Sequence, residues 1–244
     1  MTMMKLTNYK VLTFDCYGTL IDWEAGIYTA LQPLLARAAR PPSKDAVLET
    51  FARHESSQQV ETPQMIYSDV LAAVHRRLAR EWGIAASDAD HRLFGDSVPD
   101  WPAFPDSAEA LAYLKHHYKL VILSNVDRAS FAGSNVRLGV TFDAIYTAQD
   151  IGSYKPELSN FHYMLDRLAE IGIAKSDILH TAQSLFHDHA PARAVGLASA
   201  WIDRRHATGG FGATMAPPAS AGYDVRFNSM ADLAAAHRAE RAAG

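Results

Sequence analysis

Cysteine is almost absent from this chain of 244 residues, because Cys16 is the only one. A single cysteine cannot form a disulfide within the chain, so we expect a reducing compartment, the cytoplasm. No apolar stretch approaches the ~18 residues that a membrane-spanning helix needs. The N-terminal segment also has no small-residue cleavage site, so neither a membrane partner nor a secretory signal is expected.

An excess of basic residues is also missing. Lys and Arg number 23 against 27 Asp and Glu, which gives a net charge of −4. Domains that bind nucleic acid usually carry a basic excess, so no nucleic-acid partner is expected. Hydrophobic residues make up 48% of the chain and charged residues 20%, which is typical of a globular enzyme and excludes a disordered or fibrous chain.

Short apolar runs alternate with amphipathic segments along most of the chain. The runs are continuous, as is typical of parallel strands covered on both faces. Two amphipathic stretches between them, Asp106–Tyr118 and Glu157–Ile171, predict helices. The pattern predicts an α/β fold with a doubly wound, mainly parallel sheet. The predicted strands are Lys10–Phe14, Leu120–Leu123, Ala144–Thr147, Ile178–Thr181, Ala198–Ile202 and Tyr223–Phe227, followed by a helix at Met230–Ala243.

Residues 22–104 interrupt this alternation, because they contain helical patterns and no strand runs. We therefore predict two domains: an α/β core domain of residues 1–21 and 105–244, and a helical cap domain of residues 22–104. Hinges are expected near Ile21–Trp23 and Asp100–Phe104. The predicted helices of the insertion are Ile27–Arg40, Lys44–Glu55 and Met65–Trp82.

Polar side chains follow four of the predicted strands. Ligands of open α/β sheets bind beyond the carboxyl ends of the strands. Strand-end capping or a solvated loop explains each residue alone, but together they predict one site. These residues are Asp15 after the first strand, Ser124 and Asn125 after the second, Lys155 after the third, and Gln183, Ser184 and Asp188 after the fourth.

Four ordered motifs carry a resemblance that covers nearly the whole chain. FDCYGTL (Phe14–Leu20), LSN (Leu123–Asn125), YKP (Tyr154–Pro156) and SLFHDH (Ser184–His189) resemble those of the haloacid dehalogenase superfamily. Tyr17 and Gln183 stand where phosphatases of the superfamily have acidic residues that help to hold Mg²⁺. The pattern is instead similar to the L-2-haloacid dehalogenases. This resemblance implies hydrolytic removal of halide from a short 2-haloalkanoic acid, with no metal and no cofactor.

The resemblance also implies catalytic roles for four residues. Asp15 would be the nucleophile that forms a covalent ester, and Thr19 would hydrogen-bond its carboxylate. Lys155 would keep Asp15 ionised and offset the charge of the substrate. Asp188 would pair with Lys155 and help to activate water. It is also expected to cap a helix over 188–195, which does not exclude this role.

A second group of residues is implied to bind the substrate. Ser124 would hold its carboxylate and Asn125 its leaving group, and the backbone N–H groups of Cys16 and Tyr17 would add donors. Arg53 fits the arginine that binds halide in this family, with Arg37 and Arg40 as rival candidates.

The sequence departs from the dehalogenases before the last aspartate. Gln183, Leu185 and His187 stand where that family usually has Ser, Asn and an aromatic residue. One hypothesis is that His187 takes part in the leaving-group pocket or in water activation, and that a small halide such as fluoride is preferred. A solvent-facing histidine would explain the position equally well. His180 is expected to be a buried core residue and not a metal ligand.

Several interpretations remain open at this stage. The expected partner is a small halogenated carboxylic acid, and a homodimer is possible. The same mechanism could act on another leaving group, such as a strained ring amine that carries a carboxylate. The chain could instead be a Mg²⁺-dependent phosphatase, or a binding protein that catalyses no reaction.

Overall fold

A six-stranded parallel sheet organises the part of the chain that the computed structural model describes, residues 4–243. The strands are β1 (Val11–Phe14), β2 (Lys119–Ser124), β3 (Ala144–Thr147), β4 (Ile178–Ala182), β5 (Ala198–Ile202) and β6 (Val225–Phe227). Their order is β3-β2-β1-β4-β5-β6, so the chain builds outward from β1 first on one side and then on the other. This is the predicted doubly wound α/β fold, and it places the end of β1 at the switch point where ligands bind.

Five α-helices lie in the insertion of residues 22–104, which follows β1. The pattern over 27–40 predicts one helix, but the structure has two, with Pro33 in the first turn of the second. The helix that begins at Lys44 runs six residues further than predicted, and the last of the five was not predicted. They are α1 (Trp23–Ala30), α2 (Gln32–Leu35), α3 (Lys44–Glu61), α4 (Tyr67–Glu81) and α5 (Asp88–Gly95).

The remaining helices flank the sheet. They are α6 (Ser107–Lys115), α7 (Arg128–Leu138), α8 (Ala148–Ile151), α9 (Leu158–Glu170), α10 (Ala190–Ala194) and α11 (Met230–Ala243). Successive residues of β2 point to opposite faces, so Leu120 and Ile122 join one apolar cluster and Val121 and Leu123 join the other. No helix within residues 4–243 is both long and apolar enough to cross a membrane.

The two connections between the sheet and the insertion lie side by side. Ile21 and Ala103 form an antiparallel bridge. The Asp22 N–H donates to the Pro102 carbonyl at 2.8 Å, and the Phe104 N–H donates to the Leu20 carbonyl at 3.0 Å. We propose that this paired segment is the hinge between a core domain and a cap domain, at the positions that the sequence predicts.

The segment after β4 differs from the expected helix over 188–195. A π-helical turn spans Leu185–His189 and continues into α10. The Ser184 hydroxyl caps this turn by accepting the His187 N–H at 2.9 Å. Asp188 therefore lies inside the turn, and its expected role as a helix cap is wrong.

Candidate active site

Both carboxylate oxygens of Asp15 accept hydrogen bonds from side chains. The Lys155 ammonium donates to Oδ1 at 3.0 Å, and the Thr19 hydroxyl donates to Oδ2 at 2.7 Å. Thr19 is held in turn by the backbone N–H of Gln183, which donates to its hydroxyl oxygen at 2.9 Å. All three side chains of this contact are buried, so the carboxylate has a fixed orientation at the end of β1.

The Asn125 amide fixes the loop that carries Lys155. Its nitrogen donates to the Lys155 carbonyl at 2.9 Å, and its oxygen accepts the Lys155 N–H at 2.7 Å. The Lys155 ammonium also donates to the Leu123 carbonyl at 3.0 Å. Asn125 therefore positions the lysine, and its predicted contact with the leaving group stays a prediction.

Asp188 is the second carboxylate beside Lys155. Its Oδ1 accepts from the ammonium at 2.7 Å and lies 3.0 Å from Nε2 of His180. The Thr13 hydroxyl lies 2.9 Å from Nδ1 of the same ring. Oδ2 of Asp188 is buried and has no hydrogen-bond partner among residues 4–243, so it remains a free acceptor at the site.

These contacts set the charges of the cluster. Burial raises the pKa of Asp15, and Lys155 and Thr19 oppose that shift. Burial alone would lower the pKa of Lys155, but the two carboxylates hold it above its usual value, so the ammonium persists. Burial would likewise raise the pKa of Asp188, but Lys155 and His180 hold it below its usual range. The ammonium group favours the ionised form of both carboxylates, but burial still holds the pKa of Asp15 above its usual value.

A small cavity of about 30 Å³ lies above these groups, with room for little more than water. Side chains from the sheet edge and from the insertion both line it, so the cavity lies between these two parts of the chain. The lining residues are Asp15, Tyr17, Trp23, Glu55, Gln59, Tyr67, Asn125, Val126, Lys155, Ser184, His187 and Asp188.

His187 is one of the predicted residues that line this cavity. Its Nδ1 lies 3.2 Å from the Ser184 hydroxyl and 3.4 Å from the Thr214 hydroxyl. Burial lowers its pKa to about 4, so the ring is neutral near pH 7. A neutral imidazole can still donate or accept one hydrogen bond, so its hypothetical role at the leaving group or the water stays a proposal.

Other predicted substrate-binding residues lie around the cavity. No hydrogen bond within residues 4–243 occupies the backbone N–H of Cys16 or Tyr17, which leaves both as donors. The Tyr17 ring lines the cavity, with its hydroxyl 2.8 Å from that of Ser134. The hydroxyl of Ser124 is buried and has no partner in the described chain.

Arg53 is the predicted residue that the structure does not bring to this group. Its side chain is 52% exposed and pairs with Glu81 at 2.7 Å on the outside of the insertion. Arg37 likewise pairs with Asp90 at the surface. Among the described residues that line the cavity, Lys155 is the only Lys or Arg.

Sequence reasoning missed two polar residues of α3 that reach the cavity. Glu55 and Gln59 are buried, four residues apart, on the same face as buried Phe51 and Ala52. Residues at this spacing lie above one another on a helix, so the stripe that starts apolar continues as a polar one. That change along a single face is the signal that could have identified them.

The donor set does not fit Mg²⁺, which prefers several oxygen ligands and usually carboxylates. The two Asp15 oxygens hold Lys155 and Thr19, and the Tyr17 hydroxyl is turned to Ser134. Gln183 offers an amide in place of a carboxylate. In the described chain, residues 4–243, no group of three or more His, Cys, Asp or Glu side chains is arranged to hold a metal ion.

The structure places a buried aspartate, held by an ammonium and a hydroxyl group, at the end of the first strand of a doubly wound sheet. A family model described as haloacid dehalogenase-like hydrolase matches residues 9–181, and the chain belongs to this family. A search of curated proteins finds no match.

Solved structures share the fold at low sequence identity. A defluorinating L-2-haloacid dehalogenase is 21% identical, with a TM-score of 0.75 over 96% of this chain and 98% of that one. The L-2-haloacid dehalogenase of Xanthobacter autotrophicus, with chloropropionic acid covalently bound, is 17% identical, with a TM-score of 0.75 over 94% and 98%. A magnesium-bound HAD-hydrolase of Bacillus subtilis is 19% identical, with a TM-score of 0.73 over 94% and 98%. Similarity at such low identity establishes the fold, and the substrate has to be inferred from the residues of the site.

Proposed function

We propose that this chain is a metal-independent hydrolase that displaces a leaving group from a short carboxylic acid through an ester on Asp15. The first candidate substrates are 2-haloalkanoic acids, which would give 2-hydroxy acids. The observation that carries this proposal is that both oxygens of the Asp15 carboxylate accept a hydrogen bond, one from Lys155 and the other from Thr19. Family membership and the dehalogenase fold neighbours support it.

The proposed reaction has two steps. In the first, an Asp15 oxygen attacks the α-carbon, and halide departs with the electron pair of the broken bond. In the second, water attacks the carbonyl carbon of the new ester, which releases the hydroxy acid and restores the carboxylate. Asp188 stays ionised beside Lys155, and its free Oδ2 is suited to orient that water.

The substrate carboxylate would be held at the end of β1. The N–H groups of Cys16 and Tyr17 are donors without acceptors in the described chain, and Lys155 supplies positive charge. Ser124 stays a proposed ligand of this carboxylate, and His187 of the leaving group. Because the cavity is small, we propose that the insertion opens to admit the acid and closes to exclude bulk water.

One turnover in ¹⁸O-labelled water tests the ester route. With enzyme in excess over 2-chloropropionate, we expect heavy oxygen in the peptide that contains Asp15, because water attacks the side-chain carbonyl. The Asp15→Asn variant should show no label and no turnover, and excess chelator should leave the wild-type rate unchanged. Label found only in the product, or loss of activity in chelator, would contradict the proposal.

One observation favours a different leaving group for the same machinery. The insertion contributes a carboxyl group, Glu55, to the cavity, while its Arg53 faces outward. A phosphatase has no comparable support, because the donor set does not suit Mg²⁺.

A further inference from the structure

Glu55 is a buried carboxyl group that faces the same cavity as Asp15 but lies on the other side of it. Glu55 lies on helix α3 of the insertion and is 3% exposed. It lines the cavity together with Asp15, Lys155 and Asp188. The described lining therefore holds three carboxyl groups and one ammonium. Because Lys155 already contacts Asp15 and Asp188, Glu55 has no cationic partner among residues 4–243.

Tyr67 of helix α4 holds this carboxyl group in place. Its hydroxyl donates to Oε1 of Glu55 at 2.5 Å, and it is the one hydrogen-bond partner of that side chain in the described chain. Burial raises the pKa of Tyr67 well above its usual value, so the phenol keeps its proton and serves as the donor. The second oxygen, Oε2, is left to interact with whatever fills the cavity.

A buried carboxyl group without a cation is costly, and carboxyl groups perturbed by burial are concentrated at functional sites. Burial raises the pKa of Glu55 to about 7, so it can be neutral or ionised near neutral pH. A departing halide would be repelled by the ionised form. A positively charged group on the substrate would instead be attracted, and would favour ionisation of Glu55.

We infer that the group that leaves in this site is a ring nitrogen, carried as an ammonium and bound by Glu55 across the cavity from Asp15. The substrate class is a small carboxylic acid whose nitrogen belongs to a strained three- or four-membered ring. Strain is needed because an amine leaves from carbon far less readily than halide. The inference rests on the ester mechanism proposed above and changes only the leaving group.

The reaction balances without a further reactant. An Asp15 oxygen forms a bond to a ring carbon next to nitrogen, and the C–N bond breaks with its electron pair going to nitrogen. The opened chain then carries a neutral amine hydrogen-bonded to Glu55. Water hydrolyses the ester, and the proton that this step releases ends on the amine, so the product is a hydroxylated amino acid in its ammonium form.

Glu55→Gln tests the inference, because glutamine keeps the shape and the acceptor for Tyr67 but removes the charge. The substrates are azetidine-2-carboxylate and 2-chloropropionate, and the matched control is Glu49→Gln, on the exposed face of the same helix. We expect wild type to open the azetidine ring, and Glu55→Gln to lower kcat/KM for it by about 100-fold. Any turnover of 2-chloropropionate should not fall, because the variant removes a charge that repels halide.

Two outcomes would overturn the inference: an equal effect of Glu55→Gln on both substrates, or wild-type turnover of 2-chloropropionate with none of azetidine-2-carboxylate. A binding measurement distinguishes failure of this inference from failure of the ester mechanism. In an Asp15→Asn background, which cannot form the ester, calorimetry should show azetidine-2-carboxylate binding that weakens at least tenfold when Glu55→Gln is added. Equal affinity of the two proteins would reject a role for Glu55, whatever the ¹⁸O experiment shows.

Discussion

The Lys155 ammonium lies 3.0 Å from Oδ1 of Asp15, although 140 residues separate the two along the chain. Both side chains are buried, and the same ammonium also contacts Asp188 at 2.7 Å. Removal of this cation would leave two carboxylates together without compensation. We therefore expect the lysine to be needed both to keep Asp15 ionised and to stabilise this edge of the sheet.

Lys155→Met should abolish turnover and destabilise the fold. Methionine fills similar space without charge, so the folded protein must protonate a carboxyl group or bear the repulsion. We expect kcat/KM to fall by at least 1000-fold, and the free energy of unfolding to fall by about 3 kcal/mol or more at pH 7. Kinetics and urea denaturation measure the two effects. Activity within tenfold of wild type would show that Asp15 does not need the ammonium.

Thr19→Val should slow the reaction without unfolding the protein. Valine keeps the branched shape but loses the hydroxyl that donates to Oδ2 of Asp15 and accepts the Gln183 N–H. A hydrogen bond to a charged group is worth about 1.5–3 kcal/mol, which corresponds to a loss of about 10- to 150-fold in kcat. Thr19→Ser is the control, because it restores the donor and should recover most of the rate.

The central residues of the site could be predicted because they follow strands. Parallel strands deliver their carboxyl ends to one edge, so recognising β1, β2 and β4 was enough to predict that Asp15, Asn125 and Asp188 lie at one cavity. Strand limits differ from the prediction by no more than two residues, and those of β3 and β5 agree.

Residues of the insertion could not be placed in the same way. Arg53 and Glu55 are two residues apart on α3, and two residues of a helix differ in direction by about 200°. Which of them faces the nucleophile depends on how α3 packs against α4 and the sheet edge, and no local pattern gives that packing. His180 shows a different limit. It was predicted to be a buried core residue, which is correct, but its contact with Asp188 depends on the π-helical turn.

Trp23→Ala should broaden the range of acids accepted. Trp23 lines both the cavity above Asp15 and a neighbouring pocket of about 340 Å³, so we expect its indole to separate the two. Without it, the spaces should join, and kcat/KM for 2-chlorohexanoate should rise relative to that for 2-chloropropionate. Loss of the buried ring should lower the free energy of unfolding by about 3 kcal/mol.

Gly18→Ala tests whether the Trp23 indole packs against the turn that contains Gly18. Gly18 has a φ of 91°, and a Cβ there would lie 2.9 Å from Nε1 of Trp23 and 3.2 Å from Oε1 of Gln183. We expect backbone strain alone to lower the free energy of unfolding by about 1–3 kcal/mol. We also expect the wavelength of the tryptophan emission maximum to shift, because the Trp23 indole must move. An unchanged emission spectrum and melting temperature would mean that Trp23 does not lie against this turn in solution.

The pH dependence of stability should reveal Glu55 without any substrate. Its pKa is raised from an ordinary 4.5 to about 7 in the folded protein, so between these values the unfolded chain releases a proton that the folded chain retains. Stability due to this group is complete below pH 4.5 and is lost as pH rises to 7. Relative to Glu55→Gln, wild type should therefore lose about 3 kcal/mol of unfolding free energy over this window and nothing further above it.

Urea denaturation of both proteins from pH 4.5 to 8 measures the difference, with Glu49→Gln as the control for loss of a charge from the exposed face of α3. A difference that stays constant across this range would show that the Glu55 carboxyl group reaches water, and the case for a buried partner of a substrate ammonium would lose its physical basis.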